Sequence, residues 1–173
     1  MKRATDPQKP FSPRNVRAAF GLTEHELRDW RNHLPPFRGA RLKPGQGPRL
    51  SHGQLLGFGV VAVLCKRLEL PVRKLAPVSA EIFKYCESTL LEQVMRQSLR
   101  LTIDLESREA IEVDFVSRQS ARPNRGGPLA ATVEIPLDAA TSMVHGYLVR
   151  GGFLPADQQM NLRIPLAVVS SKR

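Results

Sequence analysis

Apolar side chains recur every three or four residues through roughly the first hundred positions and every second residue beyond them, which predicts helices followed by strands. Val16, Ala19 and Phe20 predict a first helix over about 13–20 that turns Arg14 and Arg17 outward. Leu27 and Trp30, with Leu34 as an anchor, predict a second over about 24–32 whose other face offers His25, Arg28, Asp29 and Arg31. A third, over about 52–68, is apolar nearly all round, as in Leu55, Leu56, Phe58, Val60, Val61 and Leu64, and so belongs at the centre of a core. Pro71 and Pro77 bracket a short fourth helix near 72–76, and the spacing of Ile82, Phe83, Cys86, Leu90 and Val94 predicts another from 78 to about 97.

Three helix starts carry the same chemistry. Ser12 is a good N-cap ahead of Pro13, Thr23 and Glu26 form a capping box, and Ser51 and Gln54 form another. The apolar pairs Phe11/Val16, Leu22/Leu27 and Leu50/Leu55 staple the same three ends. Gly21 suits a left-handed helix end, and only Leu22 separates it from the next cap, so the first two helices meet across a tight turn in helix-turn-helix manner. Pro35 and Pro36 then stop the second helix.

Beyond residue 98 the period is two. "LRLTIDLE" places Leu99, Leu101, Ile103 and Leu105 on one face, and "AIEVDF" continues with Ile111, Val113 and Phe115 after a connection at 107–109, which predicts a half-buried hairpin. "SRQSARPNRGGP" has loop composition, "LAATVEIPL" alternates again, and Asp138 can cap a helix to about Arg150 with Met143, Val144, Tyr147 and Leu148 inward. Gly151 and Gly152 end that helix, and "LRIPLAV" makes a last strand; Pro136 and Pro165 put their strands at edges or bulges. The second half is therefore β-β-β-α-β.

Charge changes this picture, because the net +10 is unevenly placed. Residues 1–87 hold 16 Lys/Arg against 7 Asp/Glu, and residues 88–173 hold 10 against 9. The first half is expected to face a polyanion. Most telling is "FRGARLKPGQGPRL", where Arg38, Arg41, Lys43 and Arg49 lie around Gly45 and Gly47 without one acid. Two short extended arms with a glycine turn would make a wing, a ribbon that reaches the DNA backbone beside an inserted helix. No apolar run approaches the ~20 residues of a membrane span, and no secretory signal core follows "MKRATDPQKP". Cys65 and Cys86 lie in apolar helical segments without metal spacing, which fits a reducing cytoplasm.

The stretch from Phe11 to Leu75 resembles the DNA-binding domain of the MerR family of winged-helix regulators. "TEHELRDW" stands for the recognition helix, "HLPPFR" for the break after it, "GPRLSHGQL" for the wing end and "LELPVRKL" for the short fourth helix. The resemblance implies that Arg28 grips phosphate from the recognition helix, with Trp30 on an aromatic position beside it. Glu24 and His25 stand at positions facing base edges, and Thr23 to Arg31 enter the major groove. Arg14 and Arg17 would touch the backbone from the first helix, while Arg38 and Arg49 match the arginines after the break and in the wing. Pro48 replaces the family's wing aromatic, and His52 and Gly53 its acidic helix start. The family's long dimerising coiled coil has no counterpart here, since only about twenty helical residues precede the strands.

The fold class expected is α+β. Residues 1–10 form a flexible basic start, 11–77 a mainly helical winged helix-turn-helix, 78–97 a connecting helix, and 98–173 an antiparallel sheet with helical cover for dimerisation or an effector. The expected function is a sequence-specific, double-stranded-DNA-binding transcriptional regulator, a homodimer in the cytoplasm on the nucleoid, with RNA polymerase as a possible partner and no membrane. A DNA-bending, excisionase-like factor and an antitoxin-like protein-interaction module are the alternatives. No enzyme is expected: His25, His33, His52 and His145 are scattered, no nucleotide or nucleophile motif occurs, and neither cofactor nor metal is called for. Asp104, Glu106, Glu112 and Asp114 read as a solvated sheet face balanced by Arg100 and Arg108.

Overall fold

The computed structural model describes residues 11–38, 47–89, 91–117 and 129–152. The basic start at 1–10, the ribbon tip with Arg41, Lys43 and Gly45, most of the loop over 117–128 and the last strand over 162–168 lie outside them. Among the described residues there are six helices and one three-stranded antiparallel sheet, an α+β arrangement.

The first three helices begin where the caps put them. Pro13–Phe20 (α1) ends at Gly21, whose φ of 65° is the left-handed turn that glycine takes without cost. Its N-terminus is closed by Asn15, whose Oδ1 accepts from Ser12 N at 2.8 Å and Ser12 Oγ at 2.7 Å. Glu24–His33 (α2) starts on the Thr23/Glu26 box: Glu26 Oε2 accepts from Thr23 N at 2.7 Å, and Thr23 Oγ1 accepts from Glu26 N at 3.2 Å. His52–Leu68 (α3) starts on the Ser51/Gln54 box, with reciprocal bonds of 3.1 Å.

The Thr23 hydrogen bonds, backbone first, hold the Glu26 carboxyl below its ordinary value of 4.5. A lowered folded-state value means stability that is present above 4.5 and is lost as pH falls through the depressed one. Glu26→Gln keeps a box-forming side chain. It is expected to remove this pH dependence from the urea midpoint while costing no more than roughly 0.5 kcal/mol near neutrality.

The fourth helix corrects the expectation of two helices split at Pro77. Val72–Ser88 (α4) runs straight through that proline. A proline inside a helix removes one backbone bond and costs about 3 kcal/mol. Here Val72, Leu75, Val78, Ile82, Phe83 and Cys86 are all buried, and that packing outweighs the local penalty. The helix expected to reach 97 ends instead at Ser88, with Leu91–Met95 (α5) as a separate short turn.

Gln97–Asp104 (β1) is the central strand, flanked by Ala110–Ser117 (β2) and Ala130–Pro136 (β3), both antiparallel to it. Leu99 and Leu101 are fully buried, but Leu105 and Ile111 are more than half exposed, against the inward positions expected of them. The register of β1 and β2 shifts between Thr102 and Ile103, so Ala110 faces Ile103 and Ile111 is the extra residue. Asp138–Arg150 (α6) begins one residue ahead of expectation, with Leu137 as its N-cap and Asp138 already helical. Its buried residues are Ala140, Thr141, Val144 and Leu148, while Met143 and Tyr147 pack half-buried at the margin.

α3 lies at the centre, against α4 on one side and α6 on the other. One apolar cluster runs from Phe11 through α1–α4 to β1, β2 and α6. That cluster includes residues on both sides of the expected boundaries at 77/78 and 97/98. α4 holds the sheet through Tyr85, whose ring stacks on Phe115 at 3.6 Å and 10°, and through Lys74 Nζ, 3.1 Å from Glu109 Oε1. None of the described helices is long and apolar enough to cross a membrane.

Candidate nucleic-acid interface

Helical spacing sets one side of each of the first two helices facing the other. Arg14 and Arg17 are three residues apart on α1, and Glu24, Leu27 and Arg31 follow one face of α2 at intervals of three and four. These faces line an open groove of about 850 Å³, which Ser12 and Gly47 also line. Leu50 brings the return end of the 37–50 segment here by pairing its backbone with Phe11, through bonds of 3.2 and 2.9 Å.

The departing end differs from the extended arm expected of it. Residues 34–38 form a hydrogen-bonded turn in which Phe37 N and Arg38 N both donate to Leu34 O, at 3.1 and 3.3 Å. Phe37 packs on Phe58, with ring centroids 4.9 Å apart, and leaves Arg38 exposed. Arg49 is also exposed, one residue after the buried Pro48.

The acids of α2 are each engaged close to home. Glu26 serves the cap, Asp29 Oδ1 lies 3.2 Å from His33 Nε2 one turn on, and Glu24 Oε1 is paired with Arg17 Nη1. Arg17 Nε also donates to Leu22 O at 3.1 Å, so its guanidinium bridges the turn between the helices. Arg14, Arg28 and Arg31 are exposed and make no ion pair among the described residues. The outcome is a surface on which each α2 acid has a local partner and the guanidinium groups of Arg14, Arg28 and Arg31 are available to an anion.

Of the residues singled out from the sequence, Arg14, Arg17, Glu24 and Arg31 meet in the groove, while His25 and Arg28 stand on the exposed surface of α2. Thr23 spends its hydroxyl on the cap, donating to Glu26 Oε2 at 2.8 Å while accepting from Glu26 N. Trp30 must be corrected. It is only 4% exposed and stacks between Phe20 and Phe58, so it belongs to the core and offers nothing to a ligand. Arg41 and Lys43 fall outside the described residues.

Two features went unread in the sequence. The Arg17–Glu24 bridge had a signal, opposite charges flanking the Gly21 turn. The other is Asn15 Nδ2 donating to Tyr147 Oη at 2.8 Å, which ties α6 to the N-terminus of α1; nothing local announces a bond between residues so far apart.

Burial, with the carboxylates of Asp29 and Glu26 nearby, pushes the Cys65 thiol up to about 12, and burial raises Cys86 further still, so neither is a thiolate near neutral pH. Among the described residues no three His, Cys, Asp or Glu side chains gather where they could hold a metal. Asp104 Oδ1 accepts from Ser107 N at 2.7 Å and so serves the β1–β2 turn. Comparison with known proteins gives no relative: no family model, no curated protein and no solved structure matches the chain.

Proposed function

We propose that this protein is a sequence-specific, double-stranded-DNA-binding transcriptional regulator. Its α1–turn–α2 pair and the 37–50 segment act together as a winged helix-turn-helix of the MerR type. α2 enters the major groove, while arginines of α1 and of the ribbon lie on the flanking phosphates. The observation that carries this reading is the groove in which Arg14, Arg17 and Arg31 converge from two helices, next to Gly47 at the return end of the acid-free basic segment 37–50. A merely solvated charged face is the competing explanation. Such a face usually mixes signs, whereas here the α2 acids are consumed by the cap, by His33 and by Arg17, and three arginines are left unpaired among the described residues.

One such unit reads only a few base pairs, so we place the protein on DNA as a homodimer with two half-sites. Duplex binding should weaken steeply with salt, the logarithm of the affinity falling by about 0.9 per phosphate contact for each tenfold rise. Arg14→Ala and Arg31→Ala should each weaken binding across sequences and make that slope shallower by about one. Salt-insensitive association, or slopes unmoved by both substitutions, would count against the proposal. A footprint with two-fold symmetry tests the dimer.

A further inference from the structure

We infer that Glu24 discriminates among base pairs, accepting a hydrogen bond from the exocyclic amino group of a cytosine in the major groove, with Arg17 positioning its carboxylate. This rests on the DNA-binding reading above and adds to it which residue reads sequence, and which base.

A carboxylate is an odd group to present to a polyanion. Glu24 is the first residue of α2, the end of a recognition helix that reaches base edges, and its side chain is 76% exposed. The other two acids of α2 are turned back into the helix: Glu26 Oε2 onto Thr23, and Asp29 onto His33. Glu24 is instead held from outside α2. Arg17 donates through Nη1 to Glu24 Oε1 and through Nε to Leu22 O, so the guanidinium is fixed at two points and restrains the carboxylate it touches. Glu24 Oε2 accepts no hydrogen bond among the described residues.

Two consequences follow from this arrangement. Arg17 offsets the charge of Glu24, which lowers the cost of bringing it near phosphates. The restrained rotamer also leaves less side-chain freedom to lose on binding. In the major groove only cytosine N4 and adenine N6 supply amino donors, and adenine sets its N7 acceptor beside N6, where it repels a carboxylate. Cytosine is the base that fits.

The test is selection of binding sites from a randomised duplex pool with the full chain, run for the natural protein, Glu24→Gln, Glu24→Ala and Arg17→Ala. The natural protein should enrich cytosine at one position of each half-site. Glu24→Gln should move that position toward adenine, since glutamine pairs with N6 and N7 together, and the cytosine advantage there should fall about tenfold. Glu24→Ala and Arg17→Ala should relax the same position and no other. A general loss of fold would weaken every position alike, so a change confined to one column reports base reading. If the natural protein enriches a site and both Glu24 variants enrich the same one, the inference is overturned and the DNA-binding proposal stands. If the natural protein retains no duplex at all, both fall.

Discussion

Trp30→Ala is expected to lower folding stability by about 3–5 kcal/mol, a large share of the ~5–15 kcal/mol that holds an ordinary domain together. The reason is a column of rings through the helical half. Trp30 lies 6.4 Å from Phe20 of α1 at 28° and 5.9 Å from Phe58 of α3 at 16°. Phe58 in turn meets Phe37 at 4.9 Å and Phe83 of α4 at 4.8 Å. One indole therefore joins the α2 face to α1 and α3 directly and, through Phe58, to α4, and its removal leaves a cavity no small rearrangement fills. Trp30→Phe keeps a flat ring in the stack and should cost about 1–2 kcal/mol. Urea unfolding of both variants reads these values. The same pair separates two roles for the residue: a core tryptophan predicts that Trp30→Phe retains duplex affinity, whereas a DNA-contacting one predicts its loss. Near-neutral stability of Trp30→Ala would show that the column does not bind these helices together.

That residue also illustrates what a sequence can and cannot disclose. Helical periodicity places Trp30 inward, next to Leu27, and the family resemblance places it beside a phosphate-gripping arginine; burial agrees with the periodicity. The starts of α1, α2 and α3 were legible because capping is local, decided within four residues by hydroxyls, glutamate, glutamine and an apolar staple. Exposure of Arg14, Arg28 and Arg31 was legible for the same reason, as the far side of an amphipathic helix. What escaped depends on distant partners. Pro77 looks like a helix end until α3 is there to reward burial of Val78, Ile82 and Phe83. Ile111 looks buried until the register shift moves it outward. The strand order β2-β1-β3 requires β3 to return beside β1, and the Asn15–Tyr147 bond requires α6 to reach α1.

The crossing of α3 and α4 is where a single methyl group should do the most damage. Gly53 and Gly57 lie one turn apart on α3, and both meet α4 at distances no side chain tolerates. A Cβ on Gly57 would lie 2.5 and 2.7 Å from Cδ1 and Cε1 of Phe83; one on Gly53 would lie 2.7 Å from both Cys86 O and Glu87 Cα. Alanine raises helix propensity by about 1 kcal/mol over glycine, while overpacking a core costs about 1–3 kcal/mol. At Gly57 the obstacle is a ring, buried but able to turn, and the two effects should leave a net loss of about 1 kcal/mol. At Gly53 the obstacle is backbone, so α4 itself must move, and the loss should exceed about 2 kcal/mol. Phe83→Leu should lessen the cost of Gly57→Ala when the two are combined, and should do nothing for Gly53→Ala, since its ring is not what Gly53 meets. The displacement should also reach the sheet, because α4 carries Tyr85 against Phe115 and Lys74 against Glu109. Amide exchange in Gly53→Ala is therefore expected to quicken in β2 as well as in α4. Either alanine raising the urea midpoint would mean that propensity outweighs contact and that the helices are not held as closely as their glycines imply.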